Sequence, residues 1–183
     1  MWKIRALCAG LALGWLTGCG TRPSGERRAS VDAAALQPGQ DVAPFRVIAA
    51  LTGDTLVIGG GDESGSLLMY ASTTCVACDI SLPFWHRLVE SHGTRFRMVR
   101  FFLPTEDMAR MTEARRPNET IARIAQPEVT GTQSRLHLDM TPTFILVAPG
   151  GRMSRIIVGR LTSFRVEQLR LAMDSLSGAR AAR

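Results

Sequence analysis

The chain has 183 residues, with 22 Lys and Arg against 16 Asp and Glu, a net charge of +6 and four cysteines. That length suits a single domain with a real core. Lys3 is the only lysine, and the arginines (Arg46, Arg87, Arg95, Arg110, Arg135, Arg165 among them) are scattered rather than gathered with aromatics, which argues against a nucleic-acid partner.

Residues 1–18 read as a secretion signal. Lys3 and Arg5 form a charged start, and Ala6 to Leu16 is an apolar stretch of eleven residues. A bilayer span takes about 20, so this stretch is too short to be one. It ends in Leu16-Thr17-Gly18-Cys19, which resembles the bacterial lipobox. The resemblance implies cleavage before Cys19, lipidation of Cys19, and a mature chain tethered to a membrane on the periplasmic side of the cell envelope. Gly20 rather than Asp after the lipidated position makes the outer membrane the default. Removing 1–18 lowers the net charge from +6 to +4, through loss of Lys3 and Arg5. Cys8 leaves with the leader and Cys19 carries lipid, so Cys75 and Cys78 are the free thiols of the mature chain. In an oxidising compartment such a pair is a disulfide unless a membrane electron donor keeps it reduced.

Residues 19–41, rich in Gly, Ser, Pro, Ala and charge, read as a flexible tether. Strands are predicted over 45–50 and 55–58, joined by a turn with Gly53-Asp54 into a hairpin. Gly59-Gly60-Gly61-Asp62 is a loop without the Lys-Ser/Thr of a phosphate site. A buried strand over 67–71 leads through Ser72-Thr73-Thr74 into Cys75-Val76-Ala77-Cys78 and a helix over 75–91, with Ile80, Phe84 and Leu88 at helical spacing. A strand follows over 96–103. Thr105-Glu106-Asp107 then caps a helix to about 115. Pro117 ends that helix, and residues 118–125 read as another short one. The apolar run 143–148, the turn Pro149-Gly150-Gly151-Arg152 and residues 153–158 form a second hairpin. Ser163 caps a last helix, and 178–183 is a frayed tail. Alternating strands and helices with a closing hairpin predict an α/β domain with a mixed sheet.

A strand that delivers CxxC to a helix N-terminus supplies what thiol–disulfide exchange needs. The first thiol meets the unpaired amides and positive dipole end, which stabilise a thiolate. The second lies one turn away, within reach to resolve a mixed disulfide on the first. Competing readings stay open. A structural zinc site commonly needs four ligands. Haem attachment needs His at position 79, which is Asp. An inert disulfide across so short a loop stabilises little.

The order of strand–CxxC–helix, Pro83 eight residues after Cys75, and Thr141-Pro142-Thr143 opening an apolar strand resembles the thioredoxin superfamily, nearest its TlpA-like, redoxin-type periplasmic members. The resemblance covers about 42–177. It implies a thioredoxin-like fold, a central mixed β-sheet flanked by helices, with an added N-terminal β-hairpin and an insertion (the 38 residues between Leu103 and Pro142) before a cis-proline strand. It implies catalytic Cys75 and Cys78 and a substrate-docking surface of Thr74, Thr141 and Pro142. The redox group is the Cys75–Cys78 pair itself, with no metal and no other cofactor. Its clients are cysteine-containing envelope proteins, apocytochromes among them by analogy. The chain departs from the family at Thr74, where Trp is usual, at Ala77, often Pro, and at Met69, the place of thioredoxin's buried acid. Leu68 and Ser72 stand where a peroxiredoxin carries Pro and Thr. His86 reads as a surface or half-buried residue and His92 as a cation complementing the helix end. His137 resembles, in place only, the histidine of copper-handling relatives, which space their cysteines by three residues. A copper- or metal-handling protein and a redox-inactive interaction module are therefore the alternatives.

Overall fold

The computed structural model describes residues 37–181, apart from 62, 108, 110, 111, 113, 127, 128 and 137. The leader, Cys8, Cys19, most of the expected tether and His137 lie outside them. Seven strands form one mixed sheet: β1 (Phe45–Ala49), β2 (Thr55–Ile58), β3 (Ser66–Tyr70), β4 (Arg97–Phe102), β5 (Glu119–Ile124), β6 (Thr143–Val147) and β7 (Met153–Val158), in the order β2-β1-β5-β4-β3-β6-β7. β3, β4 and β5 are mutually parallel; β1 runs antiparallel to β2 and β5, β6 to β3, and β7 to β6. Among the described residues three named helices accompany them: α1 (Val76–His92), α2 (Val129–Leu136) and α3 (Ser163–Ala181). The N-terminal hairpin, the central mixed sheet and the closing hairpin are those the sequence predicts.

Both faces of the sheet are covered, which is why β3 and β6 are buried at every position and read as unbroken apolar runs. Leu67, Met69, Met98, Phe102, Phe144 and Leu146 pack with Trp85, Leu88, Val89, Leu169 and Met173 of α1 and α3. Leu68, Tyr70, Val99, Phe101, Ile124 and Ile145 pack on the other side with Val42, Phe45, Leu136 and Leu138.

Residues 118–125, read as a short helix from the sequence, are instead strand β5. Ile121, Ile124 and Ala125 do fall at helical spacing, but the segment pairs with β4 on one side and β1 on the other. Those two backbone ladders outweigh the weak preference of six residues for a turn of helix. The segment 103–142 therefore contributes a sheet strand and α2 rather than helices alone. At the last helix the cap moves by one residue: Thr162 Oγ1 accepts from the Arg165 amide, and Thr162 O from Val166. α3 continues past Gly178 to Ala181. At the entry to the domain, Gly39 and Val42 donate to Met153 O and Gly151 O, and Met153 donates to Gln40 O. Asp41 bridges Arg152 in the same way. The last residues of the stretch read as tether are thus paired with the β6–β7 turn. Gly151 has φ +86, and an added Cβ would meet Gly61 N at 2.6 Å, so only glycine fits this crossing.

A charged network joins α1 to the sheet. Alternation along β4 puts Arg100 on the α1 face with Met98 and Phe102, where its Nε meets Glu119 Oε1 at 2.9 Å in a buried ion pair. Trp85 Nε1 donates to the same oxygen at 2.6 Å, and the Arg116 amide to Glu119 Oε2 at 2.9 Å.

His92, read as a cation complementing the helix end, is buried at 2 % exposure between α1 and α3. Its Nε2 lies 3.2 Å from Asp174 Oδ1 and its Nδ1 2.6 Å from Ser91 Oγ. Burial lowers its pKa below 6.5; the Asp174 contact opposes that shift, and Arg95 and Arg170 reinforce it. The folded state therefore favours neutral His92, and its contribution to stability is present above about 6.5 and lost as pH falls below it. Asp174, itself held below its ordinary value, stays ionised through that window. Urea midpoints should drop between pH 7.5 and 5.5 in the wild type and drop less in His92→Gln; equal slopes in the two proteins would contradict this role.

Candidate active site

The register of the sheet assembles the site. β3, an interior strand between β4 and β6, ends at Tyr70 and hands the chain to the turn 72–74 and then to α1. Tyr70 pairs with Thr143 of β6, so the Thr141–Pro142 peptide, which is cis, sits at the strand end beside the one that precedes the cysteines. The Gly159 amide donates to Pro142 O at 2.8 Å and ties this loop to the end of β7. On the other side of β3 the Ala71 amide donates to Phe101 O of β4, and the chain leaving β4 reaches the turn through Glu106.

Cys75 and Cys78 are disulfide-bonded, with Cα atoms 5.2 Å apart. Cys75 is itself the N-cap of α1: its Sγ accepts from the Cys78 amide at 3.1 Å. The Cys78 amide, shared between Cys75 O at 3.0 Å and the sulfur, thus points at the first sulfur, where it and the dipole favour a thiolate once the bond is reduced. The two sulfurs differ in access. Cys75 is half-buried, whereas Cys78 is 5 % exposed and packs with Met69, Ala71 and Trp85. Around the pair Val76 (71 %) and Ile80 (46 %) are exposed, as is Met140 (54 %) ahead of the cis peptide. Thr74 is exposed in the turn, and Thr143 Oγ1 donates to Met140 O at 2.7 Å.

Three residues that hold α1 or the turn before it were missed or misread in the sequence. Ser81 is buried one turn beyond Cys78; its hydroxyl donates to Ala77 O and accepts from the Leu161 amide at 2.9 Å, fixing α1 to the segment before α3. Glu106, read as a helix-capping acid, turns back to the Ser72–Thr73 turn, and Asp107 Oδ1 accepts from the Ala109 amide. Glu119, in the segment read as a helix, holds the indole of Trp85. Met69, at the position of thioredoxin's acid, is a buried core side chain 1 % exposed. His86 is half-buried with Nε2 unpartnered, and burial lowers its pKa, opposed by Glu119 and reinforced by Arg116. Among the described residues no group of three His, Cys, Asp or Glu side chains is set to hold a metal. None of the described helices is long and apolar enough to cross a membrane.

A mixed sheet with a CxxC helix after an interior parallel strand and a cis-Pro strand beside it is the thioredoxin-like fold, and this chain has that fold. No family model and no curated protein sequence matches it. Among solved structures it is similar to a putative thiol:disulfide interchange protein DsbE from Chlorobium tepidum, with 20 % identity, a TM-score of 0.59, and coverage of 78 % of this chain and 99 % of that one. It is also similar to StoA from Bacillus subtilis (18 % identity, TM-score 0.54, 73 % and 98 % covered). A third is the pneumococcal exposed lipoprotein thioredoxin from Streptococcus pneumoniae (15 %, TM-score 0.55, 69 % and 97 % covered).

Proposed function

We propose that this protein is a membrane-tethered thiol–disulfide oxidoreductase of the bacterial cell envelope. The observation that carries the reading is the asymmetry of the pair: a half-buried Cys75 capped by a helical amide, and a Cys78 sealed in the core beneath it. A client thiolate attacks Cys75 Sγ, the Cys75–Cys78 bond breaks, and Cys78 leaves as a thiolate that takes a proton. A second client thiolate then attacks its own sulfur in the mixed disulfide. A client disulfide forms, Cys75 departs as the amide-stabilised thiolate, and two electrons have passed to the pair. Run backwards, the same steps reduce a client, with a membrane donor restoring the dithiol. The redox group is the cysteine pair itself. Thr141–Pro142 and Thr74 flank it as the surface for an extended client chain.

The envelope assignment draws on the lipobox-like Leu16–Cys19 and on the likeness to an exposed lipoprotein thioredoxin. Clients are envelope proteins with cysteines, apocytochromes among them. The test is an equilibrium titration of the chain in glutathione or dithiothreitol buffers, acid-quenched, alkylated and mapped to the Cys75–Cys78 peptide. The expected result is a reversible two-electron curve, tenfold per about 30 mV. A midpoint near −120 mV marks an oxidant and one near −270 mV a reductant. Absence of any reversible couple would sink the enzyme reading in favour of an interaction module.

A further inference from the structure

The turn that presents Cys75 is held by a carboxylate from the segment that follows β4. Glu106, four residues beyond the end of β4, accepts at Oε1 from Ser72 Oγ at 2.8 Å. At Oε2 it accepts from the Thr73 amide at 3.1 Å and from the Thr73 hydroxyl. Ser72 Oγ, its proton committed to the carboxylate, takes the Thr74 amide at 3.3 Å and lies 3.2 Å from Thr74 Oγ1. The Cys75 amide closes the turn on Ser72 O. Every residue between β3 and the first sulfur except Ala71 is thereby tied, directly or through Ser72, to one ionised group.

We propose that Glu106 is a positioning residue for the exchange reaction, fixing the Ser72–Thr74 turn in front of Cys75 and biasing the pair towards the disulfide. The bias follows from charge. A carboxylate held two residues from Cys75 disfavours a second negative charge on that sulfur. It therefore opposes the Cys78 amide and the helix dipole, which favour the thiolate. Because the thiolate exists only in the reduced protein, destabilising it moves the couple towards the disulfide. Burial alone would raise the Glu106 pKa, but the Thr73 and Ser72 hydrogen bonds outweigh it and hold the carboxyl below its ordinary value, so the charge is present at neutral pH. Asp79, exposed in the first turn of α1, is a second acid on the sulfurs' own helix and is unchanged in the test below.

This inference rests on the redox function proposed above, and the experiment separates the two. Glu106→Gln keeps the shape and an accepting oxygen while removing the charge. It should shift the dithiol–disulfide equilibrium about threefold to tenfold towards the dithiol, raising the midpoint by about 15–30 mV. The pH profile of Cys75 alkylation should move to lower pH. Asp107→Asn, which removes the neighbouring charge, should leave both readouts at the wild-type value. If Glu106→Gln fails to fold, Thr73→Val takes its place: loss of that hydroxyl releases the carboxylate to water and shifts both readouts in the same direction. A wild-type couple whose midpoint and alkylation profile are unchanged by these substitutions, or moved equally by Asp107→Asn, overturns the role of Glu106 alone. No couple in the wild type overturns the function on which it rests.

Discussion

Cys78→Ser should accumulate mixed disulfides with client proteins, and Cys75→Ser should trap none, while both lose exchange turnover entirely. The difference follows from access: a client sulfur can approach half-buried Cys75, but Cys78 lies in the core beneath it. Without Cys78 nothing inside the protein resolves the intermediate, so the complex persists until external thiol releases it. The same asymmetry governs alkylation of the reduced protein. An amide-capped thiol at a helix N-terminus ionises well below the usual value of about 8.5, so label at mildly acidic pH should fall on Cys75. Non-reducing gels and peptide mapping read both results. Equal trapping by the two variants, or preferential labelling of Cys78, would reverse the assignment of nucleophile and resolver.

Glu119→Ala should be the most damaging single substitution away from the cysteines. It strands buried Arg100 without its counter-charge and leaves the Trp85 indole and the Arg116 amide without their acceptor. Breaking a buried pair from one side costs about 3–5 kcal/mol. For a domain of this size that lowers the melting temperature by roughly 6–20 °C. Replacing Arg100 and Glu119 together by Met and Leu should recover much of the loss, because no charge is then left buried. Thermal melts of the single and double variants test it. A Glu119→Ala loss under about 1 kcal/mol, or a double variant no better than the single, would show that the network is not held in this way.

What the sequence made legible was local. The CxxC pair, the helix behind it and the Thr141-Pro142-Thr143 loop are contiguous motifs, and the buried runs of β3 and β6 announce themselves by composition. β5 was not legible because six residues with Ile121 and Ile124 three apart satisfy a helix pattern, and the strand exists only through partners about twenty and seventy residues upstream. Arg100 and Glu119 fell in that same gap. Each looks like a surface charge until β4 and β5 align and α1 closes over them. Glu106 is a further case: an acid after a strand reads as a helix cap, and nothing nearby reveals that Ser72 and Thr73, more than thirty residues upstream, will claim it. Side chains whose partners lie across the sheet leave no periodic trace in the chain.

The pairing of residues 39–42 with the β6–β7 turn has a mechanical consequence. β6 begins beside the cysteines and ends at that turn, so the chain enters the domain at the pole opposite the disulfide, about 17 Å away along five residues of strand. Tension from any upstream anchor is delivered at Asp41–Val42 and the hairpin turn, the far end of the sheet from α1's first turn. Such a load bypasses the Ser72–Thr74 turn and the cis peptide. Rotation of the domain about Asp41–Val42 therefore leaves Cys75 at the far end of the sheet.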